Sequence, residues 1–402
     1  MIVGGEGSWL LTADGGRILD GSGGAIVANI GHGRAEVADA VRDAMASGAY
    51  VLPVWPTPNR LRLLDTLRQH WLPDGFDHVF FTSGGSESAD SAVRLAHAYQ
   101  SAVGRPERWK VVGRHPSYHG VTLGTLAVGS HDRRRAGFDR LLLEFPKVPW
   151  DDAEAAVKVI EQEDPETIAG FLFEPLTGSA GACLSASDDY WLAIADVCRR
   201  HDILLIADEV MTGFGRTGTR WGHDHLPVEP DVIYGGKGLG GGYVPMGMVA
   251  TTPRVVEPLR DNGFFFFTFS AADAMCAGAA TVLDILRQEH LVERSGAMGD
   301  VLHTRLSDAL GEHPHVAEIR GRGLFAGIEF VADRDTGEPF PTDRHVTMGI
   351  FRECIAQGLA VYPAGSGPVR DAIMLGPPFV ITDGEVETLV DRLTAAVRTV
   401  LH

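Results

Sequence analysis

The sequence predicts an α/β protein with a mostly parallel central sheet in a large domain and a smaller α+β domain built from both termini. Three observations carry that expectation. Between about residues 79 and 250, short apolar runs alternate with amphipathic stretches. The runs are continuous, as strands covered on both faces are. Glycines cluster where a run gives way to a helix, and in parallel sheets chemistry gathers in those loops, at the carboxyl ends of strands. The expected division is an N-terminal segment over 1–45, a large domain over 46–289 and a C-terminal part over 290–402. The outer segments break the alternation. Gly21-Ser22-Gly23-Gly24 and Gly31-His32-Gly33 mark turns in the first, Gly321-Arg322-Gly323-Leu324 and Pro377-Pro378 in the last.

Val79-Phe80-Phe81-Thr82 reads as the first strand of the large domain. A helix from Ser86 follows, with Ala89, Ala92, Val93 and Ala96 on one face. Lys110–Val112, Ile168–Phe173, Ile203–Ala207, Val232–Tyr234 and Met246–Thr251 read as further strands. Ser187 is placed to cap a helix whose first turn holds Asp188 and Asp189. Trp191, Ile194, Ala195 and Cys198 form its apolar stripe. Arg199, Arg200 and His201 sit at its negative end.

Composition excludes several functions. The 402 residues carry 35 Lys and Arg against 53 Asp and Glu, a formal charge of −18. That balance argues against a nucleic-acid partner, which needs a basic face. No stretch approaches the roughly 18 apolar residues that span a bilayer; the longest aromatic run is only Phe264 to Phe267. The first residues, Met1-Ile2-Val3-Gly4-Gly5-Glu6, lack the pattern of a secretory signal. Cys183, Cys198, Cys276 and Cys354 are scattered, as thiols of a reducing cytoplasm are. His223-Asp224-His225 has no second cluster to complete a metal site and reads as a loop; no metal is expected.

Three constellations carry chemistry. Ser83-Gly84-Gly85-Ser86-Glu87 lies between a strand and a helix. Free N–H groups at such a point hold anions, and the same residues also suit a tight turn capped by Ser86. Asp208-Glu209-Val210 ends a strand and aims a carboxylate at the cleft. Metal binding, general-base work and pairing with a cationic ring nitrogen are all open to it. Gly235-Gly236-Lys237-Gly238 ends the next strand. It is not a Walker loop, because Gly238 stands where Ser or Thr is needed. A desolvated lysine amine is a good nucleophile for an aldehyde. Together the three describe one ligand, an aromatic aldehyde with a phosphate and a basic ring nitrogen, which is pyridoxal 5′-phosphate.

Over nearly its whole length the sequence resembles the class III, fold type I aminotransferases. The resemblance rests on Ser117-Tyr118-His119-Gly120, Phe173-Glu174-Pro175, Asp208-Glu209-Val210 with Gly213-Phe214-Gly215-Arg216-Thr217-Gly218, Gly236-Lys237, Thr268-Phe269-Ser270 and Pro377-Pro378-Phe379. It implies Lys237 as the Schiff-base lysine and proton carrier, and Asp208 as partner of the pyridine nitrogen. Val210 and Tyr118 would cover the two ring faces, with His119 nearby. Gly85 and Ser86 would hold the phosphate. Thr268 would reach the phosphate of a neighbouring subunit in a homodimer with shared active sites. Glu174 would stand near the pocket as an acid. Trp55 would line the donor pocket.

The departures bear on substrate. Val121 stands where members using γ-amino acids or ornithine often carry Arg. Ile373-Met374-Leu375-Gly376 has no Arg before Pro-Pro, and Ala271-Ala272-Asp273 replaces the usual Gly-His-Pro. Arg370 is the nearest substitute for a carboxylate clamp. The resemblance is closest to ω-amine and ω-amino-acid:pyruvate aminotransferases. It implies ping-pong transfer from an amine donor to a 2-oxo acid, with pyruvate favoured. An amino-acid racemase or aminomutase would share Lys237 and Asp208 and is the alternative.

Overall fold

Glycine-rich turns fold the start of the chain into a meander of β1 (Ile2–Glu6), β2 (Trp9–Thr12) and β3 (Arg17–Asp20), each antiparallel to the next. The computed structural model describes residues 1–48, 50–260 and 266–402. Phe264 and Phe265 of the aromatic run lie outside the described residues. The helix Ala35–Ser47 packs on the helix Asp273–Gln288.

The apolar runs form the central sheet. Its strands are β4 (His78–Thr82), β5 (Lys110–His115), β6 (Lys147–Pro149), β7 (Ile168–Phe173), β8 (Leu204–Asp208), β9 (Val232–Gly235) and β10 (Gly247–Thr251), in the order β4-β10-β9-β8-β7-β5-β6. β10 runs against both neighbours, and the other pairings are parallel. The sheet is therefore mostly parallel, as expected. β6 went unpredicted, because a proline demotes a strand except at an edge, which is where Pro149 sits.

Both faces of this sheet are covered. Along β7, Phe171 and Phe173 face one apolar cluster while Ala169 and Leu172 face another. The first holds Tyr190, Trp191, Ile194 and Cys198 of the helix Asp188–His201. Ser187 Oγ accepts from Tyr190 N–H at 3.4 Å at its start, and Asp202 in the left-handed region (φ 50°) ends it. The second cluster holds Ala89, Ala92, Ala96 and Tyr99 of the helix Gly85–Ala102.

A second antiparallel sheet comprises β11 (Val316–Arg322), β12 (Phe325–Phe330), β14 (Tyr362–Ser366) and β15 (Val369–Leu375), in the order β11-β12-β15-β14. The short β13 (Leu359–Ala360) leaves that sheet and pairs parallel with β3. One sheet thus contains strands from both ends of the chain.

Candidate active site

The carboxyl ends of β4, β5, β7, β8 and β9 converge on a cavity of about 160 Å3, lined among others by Gly85, Ser86, Tyr118, Asp208, Val210 and Lys237. Its tightest part joins three loops. A Cβ on Gly85 would stand 2.9 Å from Val210 Cγ1, and one on Gly236 would stand 3.2 Å from Gly85 N. Only glycine allows the lysine loop, the β8 loop and the helix start to meet. No side chain caps that helix start at Gly84. Glu87 instead accepts from Ser83 N–H at 2.8 Å, outside the helix. The first-turn N–H groups therefore remain suited to an anion.

Asp208 is the last residue of β8 and only 4 % exposed. Its Oδ1 accepts from Val210 N–H at 3.0 Å, and its Oδ2 lies 2.8 Å from His119 Nδ1. A carboxylate can only accept there, so Nδ1 carries the proton. His119 Nε2 is buried without a partner. Tyr234 Oη lies 3.3 Å from the same Nδ1. The arrangement holds a carboxylate in place while leaving each oxygen a further lone pair.

Glu174 follows β7 directly. Its Oε1 accepts from Tyr118 N–H at 2.9 Å and its Oε2 from Gly178 N–H at 2.8 Å. Burial pushes its carboxyl up to about 7, with the charge of Asp208 adding to the effect against His119 and the two N–H groups. Lys237 has a φ of 37°, unusual for a residue with a side chain. Part of its surface faces the cavity, but the protein packed around it desolvates the amine. Burial brings its pKa down to about 8, against the charges of Asp208 and Glu174. Tyr118 packs edge-on against His131, and the Arg134 guanidinium lies 5.7 Å over its ring.

Two residues escaped the sequence reading. Glu209 is fully buried and accepts from Gly222 N–H, His223 N–H, His223 Nδ1 and Thr212 Oγ1 at 2.5–2.8 Å. It locks the segment that carries Val210. Burial works to lower the His223 imidazole, but Glu209 outweighs it and the pKa is raised. His223-Asp224-His225, expected as a loop, lies instead in the short 3-10 turn Gly222–His225, tied to Glu209 and, through His225, to Thr217. The available signal was a carboxylate inside a buried motif, which needs a partner. Arg216 is the other missed residue, and its contacts are taken up below.

The structure brings Gly85, Ser86, Tyr118, His119, Glu174, Asp208, Val210 and Lys237 together around the cavity. It does not bring Thr268, Trp55 or Arg370 there. Thr268 is exposed, and its carbonyl accepts from Tyr50 Oη at 2.8 Å. Trp55 is 63 % exposed. Arg370 lines a separate cavity of about 660 Å3 with Arg133, Asp343 and Asp371, and donates to Thr342 Oγ1 at 3.3 Å.

An amine of lowered pKa, a fixed carboxylate and an uncapped helix start surround one cavity, and that donor set fits pyridoxal phosphate. Comparison with known proteins agrees. The family described as aminotransferase class-III matches residues 1–397. The chain belongs to the class III aminotransferases, pyridoxal-phosphate-dependent enzymes of fold type I. It is 32 % identical to the putrescine–pyruvate aminotransferase of Pseudomonas aeruginosa, over 96 % of this chain and 87 % of that one. It is 30 % identical to the hypotaurine/taurine–pyruvate aminotransferase of Paracoccus denitrificans, over 98 % and 91 %. A thermostable (S)-enantioselective omega-transaminase from Thermomicrobium roseum superposes with a TM-score of 0.93 at 36 % identity, covering 100 % of this chain and 93 % of that one.

Proposed function

We propose that this aminotransferase moves an amino group from an ω-amine or ω-amino acid to a 2-oxo acid, with pyruvate as acceptor, in two alternating half-reactions. The observation that carries the reading is the pair Lys237 and Asp208 on one cavity with an uncapped helix start. Pyruvate-using relatives and the absence of arginine at Val121 and over 373–376 support the substrate class.

When bound, pyridoxal phosphate supplies an aldehyde for the amino group and a ring that accepts electron density. The chain does the rest. Lys237, with its amine lowered to about 8, moves a proton at the substrate Cα near neutral pH. Asp208, held in place by His119, would keep a proton on the ring nitrogen of the bound cofactor. Val210 and Tyr118 would cover the ring faces, and Glu174 fixes Tyr118 through its main chain. The N–H groups of Gly85 and Ser86, at the uncapped helix start, would hold the phosphate.

The working form is a homodimer of the cytoplasm. An exposed segment carries Thr268 beside Phe269, which suits a residue that completes the partner's phosphate site. Four free buried cysteines agree with a reducing compartment, and among the described residues no helix is long and apolar enough to cross a membrane. An amine and keto-acid panel on purified enzyme tests the reading. Putrescine- or taurine-type donors with pyruvate should give alanine and a carbonyl product in equal amounts. Conversion of one amino acid without any acceptor would instead mark a racemase or aminomutase.

A further inference from the structure

The family's usual carboxylate-binding arginines are missing at Val121 and before Pro377, and Arg370 lines another cavity. Four other arginines are buried, and they differ in what their nitrogens do. Arg108 donates from Nη1 to His201 O and Asp202 O and from Nη2 to Glu166, and its Nε is sealed in. Arg60 uses all three nitrogens on carbonyls, of Ala271, Leu52, Trp55 and Val51. Arg114 donates from both Nη atoms, to Glu174 O and Trp150 O, and its Nε is sealed in. Arg216 is 2 % exposed and donates from Nη1 alone, to Leu324 O at 2.9 Å and Pro377 O at 2.7 Å. Its Nε and Nη2 have no acceptor among the described residues, and it forms no ion pair there. The guanidinium carbon lies 4.5 Å over the centroid of the Phe379 ring.

A buried cation with no carboxylate in contact, Asp20 acting on it only from a distance, is costly unless something anionic completes it. Its unused edge, Nε with Nη2, is the fork that matches a carboxylate in bidentate fashion. Its place favours substrate. Gly376 separates Arg216 from Ile26: a Cβ there would lie 3.5 Å from Arg216 Nη1 and 2.8 Å from Ile26 Cδ1. Ile26 packs in one cluster with Leu176 and Met211, and both line the Lys237 cavity. The charge of Arg216 is also felt at Lys237.

We infer that Arg216 binds the carboxylate of the 2-oxo acid through Nε and Nη2, with Leu324, Pro377 and Phe379 presenting it. The inference rests on the aminotransferase reading and goes beyond it by naming the anchor. Donors without a carboxylate have nothing to place on that edge, so the residue separates the two half-reactions.

The test uses the pyridoxal-phosphate-loaded enzyme, with propanoate as a non-reacting carboxylate and benzylamine as an uncharged-tail donor. In Arg216→Met, the propanoate Kd and the pyruvate KM should rise roughly 10- to 100-fold, while the benzylamine KM moves far less. Arg216→Lys should fall between, having charge without the fork. Arg370→Ala should change the propanoate Kd less than twofold. Equal losses for pyruvate and benzylamine, or an unchanged propanoate Kd in Arg216→Met, would overturn the assignment. If Arg216→Met does not fold, a crystal of the parent enzyme with propanoate decides. A carboxylate within hydrogen-bond distance of Nε and Nη2 supports the inference, and one bound elsewhere overturns it. Failure of the parent enzyme to aminate pyruvate would instead refute the aminotransferase reading beneath it.

Discussion

The Lys237 cavity and the face around Tyr50–Trp55 and Phe266–Phe269 present opposite solutions to burying side chains. In and behind the cavity the carboxylates are fixed from within the chain: Asp208 by His119 and Val210, Glu174 by Tyr118 and Gly178, and Glu209 by four donors. On the face, Tyr50, Leu52, Val54, Trp55, Phe266 and Phe269 are 39–66 % exposed. Apolar patches of that kind mark association surfaces. The contrast teaches that one chain suffices to bring the cofactor-side residues together, whereas Trp55 and Thr268 would reach a site only in the proposed homodimer.

The comparison can be broken first at the cavity. Asp208→Asn keeps an acceptor for Val210 N–H but loses the charge that holds a ring proton. Its kcat should fall on the order of 10²- to 10⁴-fold, with a melting temperature within a few degrees of the parent. Steady-state kinetics beside thermal melts check this, and a near-parental kcat would remove Asp208 from the chemistry.

The face is tested by Phe269→Asp, which places a charge on it. Sedimentation should show the monomer mass. Cofactor affinity should fall roughly tenfold as the neighbouring Thr268 leaves the partner's phosphate, about 1.4 kcal/mol for one lost hydrogen bond to an anion. A variant that stays dimeric and holds its cofactor as tightly would make the face irrelevant to the site.

A smaller effect lies in the pH dependence of stability. Glu174 is raised from 4.5 to about 7 by burial, so the folded chain keeps a proton over that window after the unfolded chain has lost it. Its contribution to stability is therefore present below about 4.5 and lost as pH rises to about 7. Urea midpoints of the apoprotein from pH 5 to 8 should fall less steeply in Glu174→Gln. A slope identical to the parent's would place the raised group elsewhere.

Much of the cavity was legible in the sequence because its polar residues end a strand or lie within a few residues of a strand's end. Apolar runs fix where β4, β8 and β9 stop, and the next residues must then enter the cleft. Trp55 and Arg370 were not placed by that logic, since neither follows a strand of the central sheet. Glu209 does follow β8, but its partner His223 lies 14 residues on, and the partners of Arg216, Leu324 and Pro377, lie 108 and 161 residues away. Contacts across such separations depend on how sheets pack, which no local pattern records. β6 was lost for a local reason, the proline at its end.

The central claim is that one lysine joins the cofactor. Two are candidates by desolvation alone, since burial also lowers Lys147 to about 7, with the Arg135 charge adding to it. Lys147, however, spends its amine on Ala127 O and Phe145 O at 2.8–2.9 Å, whereas Lys237 opens on the cavity. Borohydride reduction of the pyridoxal-phosphate-loaded protein, followed by peptide mass mapping, separates them. The account predicts a pyridoxyl label on the peptide containing Gly236-Lys237-Gly238 and none on Lys147. A label on Lys147, or no stable label on either, would contradict it.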